Sequence, residues 1–279
     1  MSMHRFRRLV LIEVAALGII ASLGIIASLG IVASRVAAAQ PAASEDPWPD
    51  LARTVFGDRP LLDGADVIAL ETPARAEDAA IVPLTVRMRP DETRYVKALT
   101  VVIDENPAPV AATFGFGPKA GVTAISTRVR VNSYTNVHAV AELSDGKLYM
   151  VKTFVKASGG CSAPALKDAG DTAQIGEMRF RQFEPAASTA SREAQLIIRH
   201  PNNSGLQMDQ ITHLYVPAYF LDELKITQGD EVVLTMQGGI SISENPSLRF
   251  SFVSNGAPLR AEAVDTDRKV YRGEWRAGL

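Results

Sequence analysis

The chain is short of cysteine: its 279 residues hold one, Cys161. An intrachain disulfide is therefore excluded, and so are zinc sites built on paired cysteines and the C-x-x-C-H attachment of haem. It is also short of histidine, with four. His138, His200 and His213 stand at no spacing that marks a metal site. No G-x-S-x-G elbow carries a nucleophilic serine. No glycine loop ahead of a helix offers a phosphate cradle, and Gly238-Gly239 reads as a bulge or turn. These absences leave no expected metal, no expected cofactor and no catalytic group, so the expectation is a protein that is not an enzyme. After the first forty residues there is no further long apolar run, so no membrane segment is expected in the mature chain.

The first forty residues form an export pattern. Arg5, Arg7 and Arg8 make a positive start, and an apolar run with a six-residue near-repeat extends from Leu9 to Val36. Ala37, Ala38 and Ala39 supply the small residues of a cleavage site. The pattern predicts a secretory signal peptide over residues 1–39 and a periplasmic mature protein. An uncleaved anchor is the alternative, because Glu13 lies within the run and the run is long enough to span a bilayer of roughly 30 Å. Removing the segment takes away four Arg and one Glu, leaving 25 basic against 30 acidic residues and a net charge of −5. Such a balance speaks against a nucleic-acid partner.

The remaining chain has room for two domains. Residues 41–50 read as a linker, and a short helix runs from Asp50 to Phe56, ended by Gly57. Strand patterns follow at 81–88, 95–109 and 125–132, where Ile125, Thr127, Val129 and Val131 share one face and Arg128 and Arg130 the other. Residues 136–157 read as a hairpin around Asp145-Gly146. Ser158 to Ser191 changes texture, with Pro164 and Pro185 among Gly, Ala, Ser and charge, and reads as interdomain linker. Strands resume at 194–200, 221–236 (a hairpin around Gly229-Asp230), 245–265 (with an Asn255-Gly256 turn) and 269–275. The expected fold class is all-β: two immunoglobulin-like antiparallel β-sandwich domains joined by a linker. The expected boundaries are 48–160 for the first domain, 161–190 for the cysteine-bearing arm and linker, and 191–279 for the second.

An odd cysteine in an exported chain points to an intermolecular bond or a reactive thiol, which leaves a homodimer through Cys161 open. A buried, inert cysteine is the plain alternative. The neighbours Ser158, Gly159, Gly160 and Ser162 are small and polar, unlike a core setting. Gly159 and Gly160 read as a hinge. Four extended residues beyond Ala157 give the thiol a reach of roughly 13–14 Å. Lys152, Lys156 and Lys167 are close in sequence and read as solvated charges that could favour the thiolate. Hydrolysis or disulfide exchange would need a histidine beside Cys161 or a second cysteine.

The stretch VKASGGCSAP resembles the Gly-Gly-Cys arm of SoxY, the sulfur-carrier subunit of the periplasmic Sox complex. Upstream, AIVPLTVRM, LTVVIDENPAPVAATFGFGP and ISTRVRVNSYTNVHAVAELSDGKLYM resemble successive SoxY strands. Downstream, IIRHPNNSGL, HLYVPAYFLDELKITQGDEVVLTMQGGISISENPSLRFSF and LRAEAVDTDRKVYRGEW resemble SoxZ. The resemblance covers nearly all of residues 60–275 and is nearest to fused SoxYZ-like carriers associated with quinoprotein dehydrogenases. It implies covalent attachment of a sulfur intermediate at Cys161, with Gly159 and Gly160 as the arm's hinge. It also implies partners among Sox-type sulfur-oxidising enzymes, or a quinoprotein dehydrogenase and its cytochrome. Two departures stand out: the arm is internal, tethered at both ends, and Ser162-Ala163-Pro164 replaces its glycine-rich end.

Overall fold

The computed structural model describes residues 46–89, 91, 93–164, 174–183 and 191–276. The signal segment 1–39, Lys167 and Pro185 lie outside the described residues. The one helix among the described residues, α1 (Trp48–Phe56), has Pro49 in its first turn and ends at Gly57, whose φ of 68° suits glycine. Eight strands follow in the first half: β1 (Leu61–Asp63), β2 (Ile68–Glu71), β3 (Val82–Met88), β4 (Val96–Ile103), β5 (Val110–Phe116), β6 (Ala124–Val129), β7 (Thr135–Leu143) and β8 (Leu148–Val155). Seven more follow in the second: β9 (Met178–Phe183), β10 (Ser191–Ile198), β11 (Leu221–Gln228), β12 (Glu231–Gly238), β13 (Ser247–Val253), β14 (Leu259–Asp265) and β15 (Val270–Trp275). Apart from the parallel β1–β8 pair, the ladders between strands are antiparallel.

The strands stack as two sheets, in the orders β1-β8-β7-β4-β5-β12-β11-β14-β15 and β2-β3-β6-β13-β10-β9. The expected all-β class with two immunoglobulin-like antiparallel sandwiches is what the chain adopts. The halves are not beads on a linker, however. In the larger sheet β5 pairs with β12 from Leu234↔Phe116 to Gly238↔Ala112, and in the smaller β6 pairs with β13 at Phe250↔Ile125. Each half thus covers an edge of the other, which removes rows of unpaired backbone groups. One apolar cluster runs through both, including Leu84, Leu99, Phe114 and Ile125 from the first half and Leu196, Phe250 and Phe252 from the second.

The hairpin β7–β8 turns at Asp145-Gly146, with Gly146 at φ 81° and the Asp145 carboxylate accepting from the Lys147 amide at 3.0 Å. The Asn255-Gly256 turn joins strands of different sheets, β13 and β14, so it is a corner between layers. Strand β9 lies inside the stretch read as linker; its alternating Met178-Arg179-Phe180-Arg181 gains a ladder on β10 that flanking Gly, Ala and Ser had masked in the sequence.

Candidate functional site

Beyond β6 the chain continues through Arg130, Val131 and Asn132, and this segment is the floor of the site. Asn106 clamps it: its amide donates to the Arg130 carbonyl at 2.7 Å and to Ser241 Oγ at 2.9 Å, and its Oδ1 accepts from the Asn132 amide at 2.8 Å. From the second half, the Ser241 carbonyl accepts from the Arg130 amide at 2.7 Å. Both halves therefore fix these three residues.

The cysteine turn lies on that floor. The Gly159 amide donates to the Asn132 carbonyl at 2.8 Å and the Gly160 amide to the Val131 carbonyl at 3.0 Å. A methyl on Gly160 would come within 2.0 Å of the Ala79 carbonyl oxygen and 2.7 Å of that of Val131. Gly159 has φ 78°, a region costly for other residues. The roof comes from the second half. Ser204 Oγ donates to the Cys161 carbonyl, and the Gln207 amide donates to the Ala163 carbonyl at 3.1 Å. Ser204 and Gln207 belong to an excursion between β10 and β11, closed at its base by an Asn203↔Tyr219 bridge and nearer its tip by Met208↔Tyr215.

Here the structure corrects the sequence reading. Cys161 was expected on a pliable, exposed loop, yet its exposure is 0%. Gly159 and Gly160 do not act as a free hinge here; one supplies a left-handed turn and the other a close backbone approach. The small residues that looked like arm composition are the ones that fit between two layers of backbone, and four hydrogen bonds satisfy the polar groups so buried. The nearby-lysine expectation also changes. Lys152 and Lys156 are exposed, and among the described residues Arg130 is the charged group that acts on the sulfur. Burial pushes the Cys161 thiol above its ordinary range, and the Arg130 guanidinium pulls it back in part. The thiol is thus protonated at neutral pH in this conformation.

Arg130 was read, with Arg128, on the face of a strand over 125–132 opposite Ile125, Thr127, Val129 and Val131. The alternation itself holds, with Ile125, Thr127, Val129 and Val131 all buried. Arg130 nevertheless has 1% exposure and is the largest fully buried side chain among the described residues. Its Nη1 donates to the Ile242 carbonyl and, at 3.4 Å, to that of Ile240, while Nε is buried with no partner. Burial pulls the guanidinium's pKa down, and the electrostatic influence of Cys161 and Glu244 opposes this. Nothing in the periodicity marks Arg130, since its cover comes from residues more than a hundred positions later.

The histidines are structural in their contacts. His138, read as a strand-face residue, is buried, stacked on Trp48 at 3.5 Å and bonded through Nε2 to Asp104 at 3.1 Å. His200, read as structural or surface, is buried with Asn202 at 2.9 Å from Nδ1 and Asp265 at 3.7 Å from Nε2. Desolvation holds His200 below its ordinary pKa. Burial raises the Asp265 carboxyl, but donors from Tyr219, the Lys269 amide and Tyr271 outweigh it and the net shift is downward. His213 is exposed with φ 57°. No group of three or more metal-ligating side chains occurs among the described residues.

A buried thiol at the joint of two merged β-sandwiches, its turn held by both and its charge state influenced by one buried arginine, defines a two-part sandwich protein organised around a single cysteine. Family models identify it. The model "Sulfur oxidation protein SoxY" matches residues 52–161, ending on Cys161, and "Sulphur oxidation protein SoxZ" matches residues 180–276. The chain belongs to these two families, joined in one polypeptide: it is a fused SoxYZ-like protein, and this membership supports a sulfur carrier in sulfur oxidation.

Among solved structures, the sulfur carrier protein SoxY from Chlorobium limicola f thiosulfatophilum is similar at 26% identity over 40% of this chain and 91% of its own, with a TM-score of 0.35. A superoxide reductase (neelaredoxin) from Ignicoccus hospitalis is similar at 11% identity over 32% of this chain and 79% of its own, with a TM-score of 0.29. Superpositions this partial leave the assignment resting on the family models. No curated protein matches the chain.

Proposed function

We propose that the chain is a periplasmic covalent carrier: Cys161 holds a sulfur-containing intermediate, as a persulfide or thiosulfonate-type adduct, and presents it to separate enzymes of sulfur-compound oxidation. The protein itself catalyses nothing. The observation that carries this reading is that the SoxY match ends on the chain's single cysteine, which sits at the joint with the SoxZ half. Burial of the thiol adds a requirement. Loading and unloading need an opened state, in which the turn leaves Ser204 and Gln207. The internal arm then emerges as a loop anchored on both sides. Partners are Sox-type sulfur-oxidising enzymes. Incubation with thiosulfate and such enzymes should add mass to the peptide containing Cys161, and an unmodified peptide under all conditions overturns carriage.

A second reading is a docking or assembly module for a quinoprotein dehydrogenase or its cytochrome. Its support is the excursion's outer end, where Ile211, Leu214 and Tyr215 are 79%, 68% and 65% exposed. Cys161→Ser separates the two: a carrier loses all function, whereas a docking module retains partner binding.

A further inference from the structure

We infer that Arg130 is the charge partner of an anionic group borne on Cys161, so that the closed site prefers a cargo ending in negative charge to a neutral or cationic one. The inference deepens the carrier reading and rests on it for the identity of the natural cargo. A guanidinium stripped of water is costly unless its charge is met. The acceptors that Nη1 reaches, the carbonyls of Ile240 and Ile242, are neutral, and Nε has no partner. The thiol beside it is a neutral group at rest. Glu244 is a carboxylate whose charge already acts on the guanidinium from a distance, without a hydrogen bond to Nε. Attachment of an anion to the sulfur would add a negative charge within the buried joint itself, and Nε has no hydrogen bond to give up in meeting it. A charge-assisted hydrogen bond of this kind is about twice as strong as a neutral one. The planar fork of arginine also suits an oxyanion better than a lysine would.

The position is fixed from several sides. Asn106 and Ser241 hold the Arg130 backbone, and Val131 and Asn132 hold the glycines preceding Cys161. Arg130 acts here as a specificity-determining and positioning residue. Because both halves build this joint, the separate SoxY-like half would lack the Ser241 carbonyl and both Nη1 acceptors.

The test loads the mature chain chemically. Tetrathionate gives the anionic form: the Cys161 thiolate attacks an inner sulfur, a new S–S bond forms, and thiosulfate leaves. Methyl methanethiosulfonate gives a neutral methylthio adduct with loss of methanesulfinate. The 2-(trimethylammonio)ethyl analogue gives a cationic adduct by the same exchange. Mass spectrometry verifies each adduct, and melting temperature is then measured. In the wild type, the anionic form should melt about 3 °C above the neutral one. The cationic form should melt below both. Arg130→Met should abolish or invert the anionic gain, and Arg130→Lys should keep part of it. Equal melting of the three wild-type adducts, or an unchanged gain in Arg130→Met, overturns the inference. Should Arg130→Met not fold, the wild-type ranking decides alone. These probes need neither thiosulfate nor partner enzymes, so carriage can fail while the charge preference stands, and the reverse.

Discussion

The cysteine turn and the excursion that covers it invert the usual relation between composition and exposure. Ser158 to Ala163 is small and polar, and its cysteine and second glycine are buried; the tip around Ile211, Leu214 and Tyr215 is large and apolar, and it is exposed. The turn is buried because its residues are small enough to lie between two backbones that offer hydrogen bonds. The excursion spends Ser204 and Gln207 inward on the turn, while at its exposed tip Asp209 accepts from the neighbouring amides of Ile211 and Thr212. Hydrogen bonding, not hydrophobicity, decides what is covered in this part of the molecule.

The largest effect that would break the comparison is at Gly160. Gly160→Ala places a methyl against the Ala79 and Val131 carbonyls and should cost about 3 kcal/mol in denaturant unfolding, with a large gain in alkylation of Cys161. Gly159→Ala meets only Ser162 Oγ, at 4.0 Å, and should cost about 1 kcal/mol for its positive φ. Equal costs at the two positions would mean that the turn is not packed as described.

The roof comes next. Ser204→Ala removes a donor from the Cys161 carbonyl and should raise the alkylation rate of Cys161 about fivefold to tenfold, since losing one hydrogen bond shifts opening by about 1 kcal/mol. Gln207→Ala should act in the same direction. Unchanged rates would show that the excursion merely rests on the turn.

Acid should loosen the base of the excursion. His200 has a folded pKa below its ordinary value of 6.5, so the unfolded chain binds the extra proton first and stability falls as pH drops below about 6.5. Asp265, also shifted down, contributes in the same sense at lower pH, with stability present above its ordinary value of 3.8. Asn202 links this cluster to the chain beyond the excursion, through His200 Nδ1 and the Leu221 amide at 3.2 Å. A His200→Gln variant should therefore show a flatter melting profile between pH 7 and pH 5, and a profile as steep as wild type would remove His200 from the account.

The smallest effect on folding is expected at the tip. Ile211→Ser and Leu214→Ser should change unfolding free energy by less than about 0.5 kcal/mol, because little is buried there. If the docking reading holds, the same variants should weaken capture of the partner dehydrogenase or cytochrome, which separates a binding role from a structural one.

Much of the architecture was legible. Alternation and turn residues marked the helix, both hairpins and the strand that carries Ile125 to Val129, because those signals are local. Strands β1 and β2 were not marked, being only three and four residues long, and β9 escaped because its alternation is short and only pairing with β10 gives it meaning. At the site, the cysteine and its glycines were visible as unusual residues, but their setting was misread. Arg130, Asn106, Ser204 and Gln207 were not found, because each matters through a partner far away in sequence.

By itself, then, the order of residues determined the layered β class, the pairing of a SoxY-like with a SoxZ-like portion, and the identity of the one sulfur atom available. Periodicity and turn chemistry act over a few neighbours, and a lone thiol needs no geometry to be counted. The folded chain alone decided that this thiol is sheltered, that an arginine lies beside it, and that the two portions share their sheets. Those outcomes depend on long-range hydrogen bonds across the joint, and the energy of such contacts exists only once the two portions have closed on each other.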